Sequence, residues 1–228
     1  MQKNLPIKPS NYLRFAPALS LTELLIGMAI LAIVGLMVAG VYMSHFRLFS
    51  NQSTNIDVAS QNRVALDEMA NQIREASGVI TNYTGLSVVG CTVNSDPDSV
   101  VITLWPLNAT GEPKPPSDTS VVTTFDRVVY CVDTSIPSNK KLIKTIVLSS
   151  DGSSRRASIK ILATNLAATN PTNGLLFTYL DTNNFDVTST APQDAAYIKI
   201  RLKISAPNFN RSQTFDSDIE AQAVLRNK

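Results

Sequence analysis

The sequence predicts an α+β fold in which a long N-terminal membrane and amphipathic α-helix packs on a mainly antiparallel β-sheet domain. Three observations carry this: an apolar run without Asp, Glu, Lys or Arg at residues 24–46, helical spacing without Gly or Pro at 51–77, and period-two alternation after Gly78. With 228 residues, 44% of them hydrophobic and 17% charged, the chain can build one sizeable globular domain plus an extra element. The formal net charge of +2 implies no bulk pull toward nucleic acid or anionic lipid, so any such binding must be local.

The first element is membranous. Lys3, Lys8 and Arg14 precede the apolar run with no acidic partner, which predicts a cytoplasmic N-terminus and an outward-facing remainder. At helical rise, residues 24–46 span about 34 Å, enough to cross a bilayer. Gly27, Gly35 and Gly40 cost helix propensity in water but allow neighbouring helices to approach closely in lipid. Glu23 heads the run, where a carboxylate costs roughly 3 kcal/mol at mid-bilayer and less near an interface. It either finds a partner or sits among headgroups at the positive end of the helix dipole. A secretory signal shares the basic start, but its apolar region is shorter, and no small-x-small site followed by a turn occurs at residues 37–41.

The helix is expected to continue beyond the membrane. Ile56, Ala59, Leu66, Met69, Ala70 and Ile73 form one apolar stripe, while Asp57, Gln61, Asp67, Glu68, Asn71, Arg74 and Glu75 occupy the other face, with Gly78 as the stop. Counted from Leu19 the helix would hold about 59 residues and reach about 88 Å; two helices broken near residues 50–54 are the alternative. Beyond Gly78, residues 100–105, 121–133, 142–148, 175–180 and 197–204 read as strands, rich in β-branched and aromatic side chains. In the last of them Ile198, Ile200, Leu202 and Ile204 alternate with Tyr197, Lys199, Arg201 and Lys203, which predicts one buried and one wet face. Polar and Pro-rich segments at 106–117, 163–174 and 181–194 read as surface loops, and no internal repeat or second boundary divides the β-rich part.

The run Ala18-Leu19-Ser20-Leu21-Thr22-Glu23-Leu24-Leu25-Ile26 behind a short basic leader resembles the type IV prepilin signature. The resemblance implies the domain division: a leader at 1–18, the transmembrane part of the helix at 19–46, its amphipathic extension at 47–78, and an extracytoplasmic β-rich domain at 79–228. It also implies cleavage between Ala18 and Leu19 by prepilin peptidase, N-methylation of Leu19, and a role for Glu23 in subunit assembly, facing the amino group of a neighbouring subunit. Opposite charges attract strongly in a water-poor filament core, and either one left alone is penalised, so the pairing selects axial register. Ala18 stands where the family usually has Gly, and Gly40 where many major pilins place a kinking proline. In order and spacing, Ala163-Thr164-Asn165, residues 176–181, residues 198–204 and Val224-Leu225-Arg226-Asn227 are similar to J-type minor pseudopilins of type II secretion and to W-type minor pilins. These relatives imply priming or tip placement in a type IV pilus or pseudopilus. The implied partners are other pilins or pseudopilins through their N-terminal helices, prepilin peptidase, an inner-membrane assembly platform and the membrane. The implied location is the bacterial inner membrane, single-pass, and then a periplasmic or cell-surface filament. A membrane-tethered binding module for DNA or surfaces is the alternative.

The remaining candidates are weaker. Cys91 and Cys131 lie in no CxxC pair, which leaves a single disulfide or two buried thiols; joining them would close a loop of about 40 residues and contribute on the order of 4 kcal/mol. His45 is the single histidine, at the end of the membrane segment, and HExxH, GxSxG and P-loop strings are absent, so no enzyme, cofactor or metal is expected. Asp181, Asn183 and Asp186 suit an Asx-type turn better than a calcium loop. Lys199, Arg201 and Lys203 line one strand face, with Arg155 and Arg156 elsewhere; they could meet DNA phosphates, although a solvated, edge-protecting face is the simpler reading.

Overall fold

The computed structural model describes residues 20–80, 98–207 and 214–225. Ala18, Leu19 and Cys91 lie outside the described residues. Chain order is α1 (Leu21–Glu75), β1 (Gly78–Ile80), β2 (Val100–Leu104), β3 (Asp126–Asp133), β4 (Lys141–Val147), β5 (Ser158–Ala163), β6 (Leu175–Leu180), β7 (Tyr197–Pro207) and β8 (Thr214–Val224). Short 3-10 turns occupy Val122–Thr124, Thr172–Gly174 and Pro192–Asp194. The chain divides into two compact units, Met1–Leu48 and Phe49–Lys228.

In the first unit every described residue belongs to α1 or its cap, and none is buried. This stretch is long and apolar enough to cross a membrane. Among the described residues of this unit every Leu, Ile, Val and Met side chain is exposed, which is the condition of a segment whose solvent or neighbours must be apolar.

In the second unit the last turns of α1 bury Val58, Asn62, Ala65, Leu66, Met69, Ala70 and Ile73, at the three- and four-residue spacing of one helical face. Ile56, expected on that stripe, is 68% exposed, and Asn62 takes a buried place instead. The helix also ends at Glu75, three residues before the expected stop, and Gly78 opens β1 opposite Thr103. Gly78 therefore serves the sheet rather than a helix cap.

Two antiparallel sheets receive the helix, one in the order β1-β2-β3-β4-β5 and one in the order β6-β7-β8. Met69 and Ile73 share one buried cluster with Ile102, Val128 and Leu142 of the first sheet and with Phe177, Ile200 and Ile204 of the second. The first sheet carries another buried cluster on its opposite face, made of Val101, Val129, Cys131 and Ile143. Burial on both faces explains why β2, Val-Val-Ile-Thr-Leu, is apolar at every position but Thr103, whose hydroxyl donates to Gly78 O at 3.2 Å. The second sheet is wet on one face, and β6 and β7 alternate accordingly.

Polar side chains fix the helix against each sheet. Glu68 meets Lys144 at 3.0 Å and Lys160 at 2.6 Å on the first sheet. Asn62 Nδ2 donates to Leu202 O at 3.0 Å, Ser217 O at 2.8 Å and Ser217 Oγ at 3.0 Å on the second. Of the expected strands, 175–180 is observed unchanged, while the segment 121–133 begins with a 3-10 turn and becomes strand only at Asp126. β1, β5 and β8 were not expected, and β5 and β8 each form one edge of a sheet.

Candidate functional site

The head of α1 is built by local hydrogen bonds. Ser20 Oγ accepts the Glu23 N–H at 3.2 Å, and Glu23 Oε2 accepts the Ser20 N–H at 3.2 Å, which is a reciprocal capping box. The Ser20 hydroxyl reaches the same carboxylate oxygen at 3.4 Å and Thr22 Oγ1 at 2.9 Å. The carboxylate thus occupies the first helical turn, where free N–H groups and the helix dipole favour negative charge. Ser-x-x-Glu spacing is the sequence signal of such a box; charge and depth alone do not suggest it. Within this chain Glu23 already has a partner, so the helix start is defined before any other molecule arrives.

The basic residues of β7 are not left bare. In register, Arg201 faces Glu220 and Lys203 faces Asp218 across the β7–β8 pair, and the ion pairs run diagonally to the acid two residues earlier. Lys199 meets Glu220 at 2.7 Å, Arg201 meets Asp218 at 2.6 Å, and Lys203 meets Asp216 at 3.1 Å. The Arg201 hydrogen bond to the Asp218 carboxylate holds that group below its ordinary value, and the Ser205 hydroxyl does most to lower Asp216. Each cation has an acid beside it, so this face offers phosphates little net attraction. These cations stand on the middle strand of the sheet and so protect no edge themselves; the acids that match them line the edge strand β8.

The other candidates resolve locally. Asp181 Oδ1 accepts the N–H of Asn183 at 2.7 Å and of Phe185 at 2.9 Å, the Asx turn expected for this loop. Asp186 Oδ1 accepts the Thr188 N–H at 2.8 Å, so it turns to a separate tight turn. Among the described residues no group of His, Cys, Asp and Glu is placed to hold a metal. His45 is exposed on α1, one face along from Met37, Val38, Val41 and Tyr42. Cys131 is buried and disulfide-bonded, and the sequence holds one other cysteine, Cys91.

A buried polar knot below the end of β2 was not visible in the sequence. Asp126 is fully buried and accepts the Ser149 N–H at 2.9 Å, the Ser153 hydroxyl at 2.7 Å and Arg155 Nε at 3.0 Å. These partners lie more than twenty residues away on the β4–β5 connection, a distance no local pattern spans. No family model, curated protein or solved structure matches the chain.

Proposed function

We propose that this chain is a structural subunit of the minor pilin or pseudopilin kind, processed by prepilin peptidase and taking part in priming or tipping a type IV pilus or type II secretion pseudopilus. The observation that supports this reading is helix α1 itself. Its first half is apolar, uncharged between residues 24 and 46, and unburied, with a carboxylate at its head. Its last turns carry a buried stripe against two sheets. A segment of the first kind gains from packing beside like helices in lipid or in a filament core, where small residues such as Gly27 and Gly35 let backbones approach. Glu23 satisfies its own helix start through Oε2, and an adjacent amine can approach the carboxylate as a second donor.

Replacing Glu23 with Ala tests the role. The variant is expected to accumulate in the membrane at normal level while its share in purified filaments falls by about tenfold or more, as expected when a low-dielectric charge pair is broken. Incorporation equal to wild type contradicts the assignment. A membrane-tethered DNA-binding module gains less support, because the basic strand face is matched acid for base by β8.

A further inference from the structure

A cleft of about 580 Å³ opens in the second unit where α1 ends. Trp105 and Leu107, just beyond β2, form part of its wall with Pro113, and Glu75 and Arg155 bring a carboxylate and a guanidinium to the same space. Its volume is on the scale of sites that hold one small molecule. Trp105 is 40% exposed, so part of its indole is open to a ligand in the cleft.

The walls are braced. Asn108 Oδ1 accepts the N–H groups of Thr110 and Glu112, each at 2.9 Å, and Lys114 N–H donates to Pro106 O at 2.9 Å, closing the 106–114 loop on itself. Ser153 Oγ accepts the Leu107 N–H at 3.1 Å, and Ser154 N–H donates to Leu107 O at 3.0 Å, tying that loop to the β4–β5 connection. Arg155 is held by buried Asp126 through Nε at 3.0 Å, and its Nη2 donates to Trp105 O at 3.5 Å. A binding group oriented in advance loses less freedom when a ligand arrives.

The chemistry selects a neutral ligand with one apolar face and several hydroxyls. Arg155 is neutralised by Asp126, so it remains a hydrogen-bond donor but draws anions weakly, and Glu75 repels them. A simple cation would be drawn to Glu75 and the indole but would face the guanidinium. A pyranose ring satisfies all three groups: its C–H face lies on the electron-rich indole, and adjacent hydroxyls bond the carboxylate as donors and the guanidinium as acceptors. We propose that the cleft lined by Trp105, Glu75 and Arg155 binds a pyranose sugar, free or as one residue of a polysaccharide. The site does not depend on the filament assignment.

Trp105 is the sole tryptophan, so its emission reports occupancy directly. The full chain, held in a zwitterionic detergent without a sugar headgroup, is titrated with methyl glucoside, methyl galactoside and methyl N-acetylglucosaminide, with tetramethylammonium and inorganic phosphate alongside. At least one pyranoside should change the emission with millimolar saturation, and Glu75→Gln, an exposed position whose change spares the fold, should weaken that response about tenfold. No saturable response to any pyranoside up to about 100 mM overturns the proposal. So does saturation by tetramethylammonium or phosphate alone, or a pyranoside response unchanged in Glu75→Gln.

Discussion

Gly174 sits at φ 75°, and a Cβ added there would stand 2.7 Å from Lys203 O and 2.8 Å from Ala167 N. Both are backbone atoms, and they are bonded to each other, Ala167 N–H donating to Lys203 O at 3.0 Å. Neither can retreat without opening the pairing that extends β7 beyond β6. Gly152 shares the conformation, at φ 73°, but its added Cβ would meet nothing within 4 Å. The two positions separate backbone strain from steric clash. Gly152→Ala should cost about 1 kcal/mol and Gly174→Ala at least about 2 kcal/mol more, read from denaturant melts of the full chain in detergent. Equal costs would contradict the packing described around Gly174. Neither effect is legible locally, since the sequence shows two glycines in polar surroundings and the crowding at one comes from residues 167 and 203.

The helix–sheet contact turns on Glu68. Its partial burial by itself favours the neutral acid, but hydrogen bonds and charge from Lys160 and Lys144 outweigh this and hold the carboxyl below its ordinary value of 4.5. A depressed acid stabilises the fold above its unfolded value and loses that contribution as pH falls through the folded one. The second unit should therefore weaken progressively below about pH 4.5, and Glu68→Gln should remove part of that acid sensitivity. At neutral pH the same variant leaves Lys144, whose side chain is 10% exposed, without its partner, at a cost of roughly 1–3 kcal/mol. Lys160, at 59% exposed, adds little of this. Thermal melts at neutral and acid pH check both statements; an unchanged acid limb in the variant would contradict the first.

At this scale the sequence was legible where one residue decides its own environment. β6 and β7 alternate strictly, and Ile198, Ile200, Leu202 and Ile204 point inward as the period demands. β8 alternates too, with Phe215, Ser217, Ile219, Ala221 and Ala223 on one face, but Asp, Ser, Glu and Ala are weak strand formers, and propensity hid the period. β5 is as long as β6, but Ser-Ile-Lys-Ile-Leu-Ala is an exposed edge with fewer apolar residues, and β1 has only three residues. Gly78 misled because a glycine after a helix suggests a cap, whereas the helix had already ended at Glu75. Of the functional features, Glu23 stood out by charge alone. The acids that neutralise Lys199, Arg201 and Lys203, and the groups that meet around Trp105, belong to distant segments whose register only the fold supplies.

For the whole molecule, two kinds of surface on one chain need one account. The second unit gathers a buried apolar core around the last turns of α1, with single apolar side chains such as Ile56, Ile159 and Phe185 left exposed. The first exposes Leu24, Leu25, Ile26, Met28, Ile30 and Leu31, each more than half exposed, and its own residues bury none of them. Apolar surface of that length is stable in a bilayer or among like helices, and an assembling subunit passes from one to the other. On this account the head of the helix, with Ser20 and Glu23, lies immediately behind a new N-terminus. The most direct test is the intact mass and N-terminal sequence of the protein extracted from membranes. A chain that begins at a methylated Leu19 is the expected result. A mature chain that begins beyond Phe46 would lack Glu23 and the apolar run and would contradict it.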